Sequence, residues 1–115
     1  MDKNRIQGLL RLLREIQSIH PEFPLQYAVC LAEIALNEGI SLTGLAQQTG
    51  LSLPTISRII TALGHALGNP PEQGRHYGLI YVQIAACEKR RKELFLSPKG
   101  RHFMEQVSGV FEEIN

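Results

Sequence analysis

Arg58 lies among short polar residues in a segment whose apolar residues recur at helical spacing. An arginine guanidinium carries five N–H donors in a rigid fork, and this fork matches the O6 and N7 acceptors of guanine in a DNA major groove. Short side chains beside it would let a helix approach the base edges closely. The residues that we predict to contact DNA from this segment are Pro54, Thr55, Ser57, Arg58 and Thr61.

A second group with binding chemistry is the basic run that begins at Lys89 and continues through Arg90 and Arg91. Consecutive cations attract phosphates and give an affinity that falls as salt increases. Lys99 and Arg101 follow nearby and are expected to extend this basic region. The alternative is a solvated hairpin tip whose charges only improve solubility.

Residues 41–63 must position Arg58, and they have the spacing of two short helices joined by a sharp turn. Ala46 is small enough to let the helices cross closely, Gly50 can adopt the positive φ that ends the first helix, and Ile56 fills the space between them. This spacing predicts a helix-turn-helix, although an ordinary pair of antiparallel helices would show the same pattern.

Capping residues and the apolar period define these two helices further. Ser41 and Ser52 are expected to be N-caps, and Pro54 fits the first turn of the second helix because the amide hydrogen that it lacks is not needed there. The residues predicted to face inward are Ile56, Ile59, Ile60 and Leu63. The polar residues between them are then left on the outer face.

Two helices are predicted before this segment. The first spans 5–20 and stops before Pro21. The second begins near Pro24 and stops before Gly39, and because it is apolar on most sides we expect it to be the central core helix. Residues 38–41 are expected to be a short extended segment.

A hairpin and one helix are predicted after it. Residues 64–78 are rich in glycine and proline and predict a loop. Alternating apolar residues then predict a β-hairpin, or wing, at about 79–97, with its tip at 86–92. The last helix occupies 98–114, with Ser97 as its N-cap.

The sequence resembles MarR-family transcriptional regulators in two motifs, LAQQTGLSLPTISRIITAL and EKRRKELFLSPKG, and in the order of elements over nearly the whole chain. The resemblance implies that Arg90 reaches a minor groove or its phosphates and that Glu88 orients it. It also matches Ser97 and Gly100 to the start of the family's helix after the wing. The chain departs from the family in having Glu rather than Asp at the wing and a long loop before the hairpin.

The predicted fold is therefore mainly α with a small β-hairpin (α+β), as one winged helix-turn-helix domain over 1–115 with flanking N- and C-terminal dimerisation helices. Both terminal helices have apolar stripes that a small core cannot easily absorb, and pairing across a two-fold axis would bury them. Such a homodimer would place two recognition helices about 34–36 Å apart and favour a palindromic operator.

Length and composition set further limits. The chain has 115 residues, 43% of them hydrophobic, and a formal net charge of only +1. It lacks an apolar run of about 20 residues and a signal-peptide pattern, so we expect no membrane span and a cytoplasmic protein. Two cysteines without CxxC spacing are consistent with a reducing compartment. Without a nucleophile elbow or a phosphate loop, the sequence predicts no enzyme.

Other chemistry has less support in the sequence. Cys87, beside Glu88, could be a redox-sensitive thiol, but a reactive cysteine needs a lowered pKa. Cys30 is expected to be an apolar core residue. Tyr77 and Tyr81 could contact DNA, although covering the base of the hairpin is favoured on packing grounds. The histidines lack paired metal-ligand spacing, so no metal and no cofactor is predicted. The MarR resemblance implies a small-molecule effector that no residue identifies.

These observations predict a homodimeric MarR-like regulator, expected to be a repressor, that binds double-stranded DNA sequence-specifically. Its recognition helix would occupy the major groove, and its basic wing the minor groove or the backbone. The near-neutral charge and the long loop leave open a second hypothesis, in which the winged helix serves replication, partitioning or protein docking. Arg58 distinguishes the two, because only DNA recognition requires it.

Overall fold

The computed structural model describes residues 1–64, 77–85 and 91–114. Along these residues lie five helices and one small antiparallel sheet, in agreement with the predicted α+β class. The helices are α1 (Lys3–Gln17), α2 (Leu25–Leu36), α3 (Leu42–Thr49), α4 (Leu53–Leu63) and α5 (Pro98–Ile114). The strands are β1 (Ile40–Ser41), β2 (Ile80–Ile84) and β3 (Lys92–Leu96).

The α1 helix starts and ends earlier than the predicted 5–20. Its first turn is capped by the Asp2 carboxylate, which accepts hydrogen bonds from the amides of Asn4 and Arg5. Its last turn tightens at Ser18, whose amide donates to carbonyls three and four residues earlier. The helix therefore ends by its own backbone geometry, before the first proline is reached.

The α2 helix is the central core helix, as expected, because it packs on α3, α4, β3 and α5, although only one of its sides is fully buried. Its buried residues are Cys30, Leu31 and Ile34. Its exposed large apolar residues are Leu25, Val29 and Leu36. The helix ends when Asn37 leaves the helical conformation, two residues before the glycine that the sequence indicated.

The predicted hairpin is formed by β2 and β3, with Val82 opposite Leu94. Its tip is shorter than the predicted 86–92, because Lys92 is the first residue of β3 and pairs with Ile84. Of the remaining tip residues, 86–90 lie outside the described ranges.

The extended segment before α3 is a third strand of the same sheet, which has the order β1-β3-β2. Ile40 pairs with Leu94, and the amide of Gly39 donates to the Leu94 carbonyl over 2.8 Å. Of the predicted 64–78 loop, residues 65–76 lie outside the described ranges. The chain rejoins the end of α4 where the amides of Tyr77, Gly78 and Leu79 donate to backbone carbonyls of residues 62–64.

One apolar core joins α2, α3, α4, the sheet and α5. The α1 helix packs mainly on α5, and its half-buried Leu12 and Ile16 pack against this core. Gly8 is the only fully buried residue of α1. This leaves an exposed apolar surface, called here the α1 strip, which consists of Ile6, Leu9, Leu10 and Leu13, each 44–49% exposed. The described chain is elongated, 49 × 32 × 25 Å, with a radius of gyration of 15.2 Å against about 13 Å for a compact chain of this length.

Candidate nucleic-acid interface

The turn between α3 and α4 has the geometry that the sequence predicts. Gly50 has φ 73°, and its amide donates to the Ala46 carbonyl over 2.9 Å. A Cβ at Gly50 would meet no atom within 4 Å, so the positive φ alone favours glycine. The Thr49 hydroxyl stabilises the turn by linking the residues on either side of it. It donates to the Leu45 carbonyl and accepts from the Leu51 amide. The predicted helix-turn-helix is confirmed.

The first turn of α4 satisfies its own polar groups. The Ser52 hydroxyl oxygen accepts from the Thr55 amide over 3.4 Å and donates to the Thr55 hydroxyl over 2.9 Å, so Ser52 is the predicted N-cap. Pro54 is exposed in this turn. Thr55, predicted to face outward, is half-buried, and its hydroxyl is engaged within the protein.

The two faces of α4 are separated as predicted. The four inward residues are buried: Ile56, Ile59, Ile60 and Leu63. Ser57, Arg58 and Thr61 are exposed, and Thr61 donates its hydroxyl hydrogen to the Ser57 carbonyl over 2.9 Å. Arg58 forms no ion pair with any carboxylate in the described ranges. The α4 helix, buried on one side, therefore presents one exposed cation together with small hydroxyl groups on the other side.

At the hairpin, Arg91 and Lys92 are exposed. The Arg91 carbonyl accepts from the Ala85 amide over 2.8 Å, which holds this cation at the end of the paired strands. Glu88, Lys89 and Arg90 lie outside the described residues.

Two other basic residues, expected from the sequence to extend this region, are exposed and also bond to other parts of the fold. The Lys99 ammonium donates to the Tyr77 carbonyl over 3.0 Å. Arg101 is paired with the Glu38 carboxylate at 2.8 Å. Hydrogen bonds from Arg101 and from the Leu96 amide lower the pKa of Glu38. Both cations thus connect parts of the fold.

The start of α5 fixes the base of the hairpin. The Ser97 hydroxyl is buried, donates to the Gly78 carbonyl over 2.6 Å and accepts from the Gly100 amide over 3.0 Å. A Cβ at Gly100 would lie 1.9 Å from the Leu79 carbonyl oxygen, and only glycine avoids this steric clash. The Ser-x-x-Gly sequence therefore allows the first turn of α5 to contact the entry to β2.

Both tyrosines contact other aromatic rings. Tyr77 packs edge-to-face against Phe23 and Tyr27, with ring centroids 5.0 and 6.3 Å away. Tyr81 stacks on Phe95 at 5.3 Å and remains partly exposed. The packing role favoured from the sequence accounts for both positions.

Cys30 is fully buried, and this burial, together with the charge of Glu33, raises the pKa of its thiol. The predicted core role of Cys30 is confirmed. Cys87 lies outside the described ranges. In residues 1–64, 77–85 and 91–114, no three His, Cys, Asp or Glu side chains are arranged to hold a metal ion. No helix in the same ranges is both long and apolar enough to cross a bilayer.

No family model and no curated protein matches the sequence, whereas many solved structures share its fold. A mutant of MepR from S. aureus, bound to an oligodeoxyribonucleotide, has a TM-score of 0.70 and 17% identity over 96% of this chain and 72% of its own. The transcriptional repressor CouR, bound to a 23-mer DNA duplex, has a TM-score of 0.62 and 18% identity over 94% of this chain and 67% of its own. MarR has a TM-score of 0.60 and 22% identity over 95% of this chain and 77% of its own. The chain has the winged-helix fold of MarR-family regulators, as predicted.

Proposed function

We propose that this protein is a homodimeric transcriptional regulator, acting as a repressor, that binds double-stranded DNA sequence-specifically. The observation that carries the proposal is the exposed side of α4, where Arg58 forms no ion pair within the described part of the chain. A binding role, rather than catalysis, fits a surface built from one guanidinium and small hydroxyl groups.

The chemistry of this surface matches a major groove. The guanidinium of Arg58 can donate two parallel hydrogen bonds to guanine O6 and N7. Ser57 and Thr61 flank it with hydroxyl oxygens that can contact bases or phosphates. Because the opposite side of α4 is buried in the core, the helix can enter a groove as a fixed body.

The hairpin contributes phosphate contacts in this proposal. Arg91 lies exposed at the end of the paired strands, and Lys92 is exposed beside it. Lys89 and Arg90 continue the positive charge in the sequence, and the MarR resemblance assigns Arg90 to the minor groove, with Glu88 orienting it. Cations at a hairpin tip add affinity without sequence preference.

The homodimer is proposed from the α1 strip. Four large apolar side chains, each nearly half exposed, lie along one side of α1, and Phe111 on the adjacent α5 is 53% exposed. A second copy related by a two-fold axis would cover this surface with the same surface. Two copies would also present two α4 helices to successive major grooves.

Two of the solved neighbours support this proposal. MepR and CouR were each solved with DNA, and CouR is described as a transcriptional repressor. Repression by the present chain is inferred from that likeness. A protein-docking role is the second candidate, because Val82 and Ile84 on the hairpin are 41% and 60% exposed and are apolar.

Selection from a random DNA duplex library tests the function. Purified protein at physiological salt is expected to enrich an inverted repeat whose half-sites lie about one helical turn apart. The Arg58→Ala variant is expected to enrich a less defined sequence. Absence of enrichment by the unaltered protein would contradict the proposal and favour protein docking.

A further inference from the structure

Leu53 is an exposed apolar residue on the side of α4 proposed to face DNA. It is the first residue of the helix, and 49% of its surface is exposed. Ser57 and Thr61 follow it at intervals of four residues, so the three side chains form one row, with about 6 Å between neighbours along the helix axis. Leu53 is therefore continuous with the proposed recognition surface.

The polar groups around Leu53 are already occupied. The Ser52 hydroxyl is bonded to both the amide and the hydroxyl of Thr55. Pro54, exposed beside Leu53, has no amide hydrogen. The side chains at this end of the surface thus offer apolar contact, whereas hydrogen bonding is concentrated one turn later at Ser57 and Arg58.

Base edges in a major groove present one apolar group, the C5-methyl of thymine. We propose that Leu53, together with Pro54, contacts a thymine methyl and so specifies thymine at one position of each half-site. This inference rests on the proposed function, in which α4 lies in the major groove. It assigns sequence preference to a side chain that makes no hydrogen bond.

Replacing thymine by uracil tests the contact directly, because uracil lacks only the methyl group and keeps the same base pairing. Each thymine of the selected half-site is replaced in turn, and the affinity is measured by fluorescence anisotropy. At one position, replacing thymine by uracil should weaken binding of the unaltered protein about fourfold, the value expected for one buried methyl group. With Leu53→Ala, the thymine and uracil duplexes should bind nearly equally at that position.

Leu36→Ala is the matched control, because Leu36 is an exposed leucine on α2 and not part of the proposed recognition surface. It should keep the full thymine preference. Three results would overturn the inference: equal affinity for thymine and uracil at every position, an operator without thymine, or an unchanged thymine preference in Leu53→Ala. None of these results would contradict specific DNA binding by the protein. Failure to select any duplex would remove both the inference and the proposed function.

Discussion

One guanidinium nitrogen of Arg101, Nη2, lies 2.8 Å from Oε1 and 2.9 Å from Oε2 of the Glu38 carboxylate. Oε1 also accepts a hydrogen bond from the Leu96 amide over 2.9 Å. Glu38 lies just before β1 and α3, and Arg101 lies in the first turns of α5. The pair therefore connects the entry to the helix-turn-helix with the helix that follows the hairpin.

Breaking this pair should destabilise the fold in a pH-dependent way. The pKa of Glu38 is lowered in the folded state, chiefly by hydrogen bonding to Arg101, so its contribution is present above the carboxyl pKa of the unfolded chain, about 4.3, and is lost as pH falls through the folded value. Glu38→Gln should lower the melting temperature by a few degrees at pH 7 and by less at pH 3. Thermal denaturation monitored by circular dichroism at both pH values measures this.

Glu112→Gln removes an exposed glutamate from the same helix as Arg101 and serves as the control. If Glu38→Gln lowered the melting temperature by the same amount at both pH values, loss of an ionised pair would be contradicted as the cause.

Gly100→Ala should be strongly destabilising, by about 3 kcal/mol, the upper part of the range for overpacking. The added Cβ would lie 1.9 Å from the Leu79 carbonyl oxygen, and backbone cannot move away as a flexible side chain could. Gly109→Ala, in the same helix with nothing within 4 Å of its Cβ, should be neutral or slightly stabilising. Urea denaturation at one fixed protein concentration compares the two variants, and equal stabilities would refute the proposed close contact.

Leu10→Glu tests the α1 strip as a dimer interface. Leu10 is 47% exposed, so burying the rest of it stabilises by roughly 0.7–1.5 kcal/mol. A two-fold interface contains the residue twice, so the dimer dissociation constant should rise at least about tenfold. Sedimentation equilibrium measures this constant. Gln7→Glu adds the same charge to an exposed polar position of α1 and should leave association nearly unchanged. A monomeric unaltered protein at micromolar concentration would rule out the proposed dimer.

The helix-turn-helix was predictable because its signals are local. Ser41, Gly50 and Ser52 set its boundaries through caps and one positive φ, and each acts within a few residues of its own position. The exposed position of Arg58 then follows from the helical period alone. The same period also places Leu53 on the exposed side, because it lies four residues before Ser57. Its apolar character, however, did not suggest an exposed recognition residue.

Contacts between distant segments were not predictable in the same way. Strand β1 has two residues, too few for a period, and is defined by pairing with Leu94. Glu38 and Arg101 are 63 residues apart, and neither side chain is unusual in its local sequence. The steric demand at Gly100 arises from Leu79, on another element. Such features depend on how elements pack, which composition and spacing do not specify.

The central claim is that the exposed side of α4 recognises DNA sequence through Arg58. The most direct measurement is fluorescence anisotropy of the unaltered protein and of Arg58→Ala, on the selected duplex and on a shuffled duplex of the same composition. Arg91→Ala is the matched control, because it removes an exposed arginine from the hairpin, where only phosphate contacts are proposed.

Arg58→Ala should bind the selected duplex about 5- to 150-fold more weakly for each half-site, since a bidentate contact to guanine contributes about 1–3 kcal/mol of discrimination. It should bind the shuffled duplex almost as the unaltered protein does. Arg91→Ala should weaken both duplexes alike and reduce the salt dependence of binding. If Arg58→Ala weakened both duplexes equally, or left the preference for the selected duplex intact, recognition through Arg58 would be contradicted.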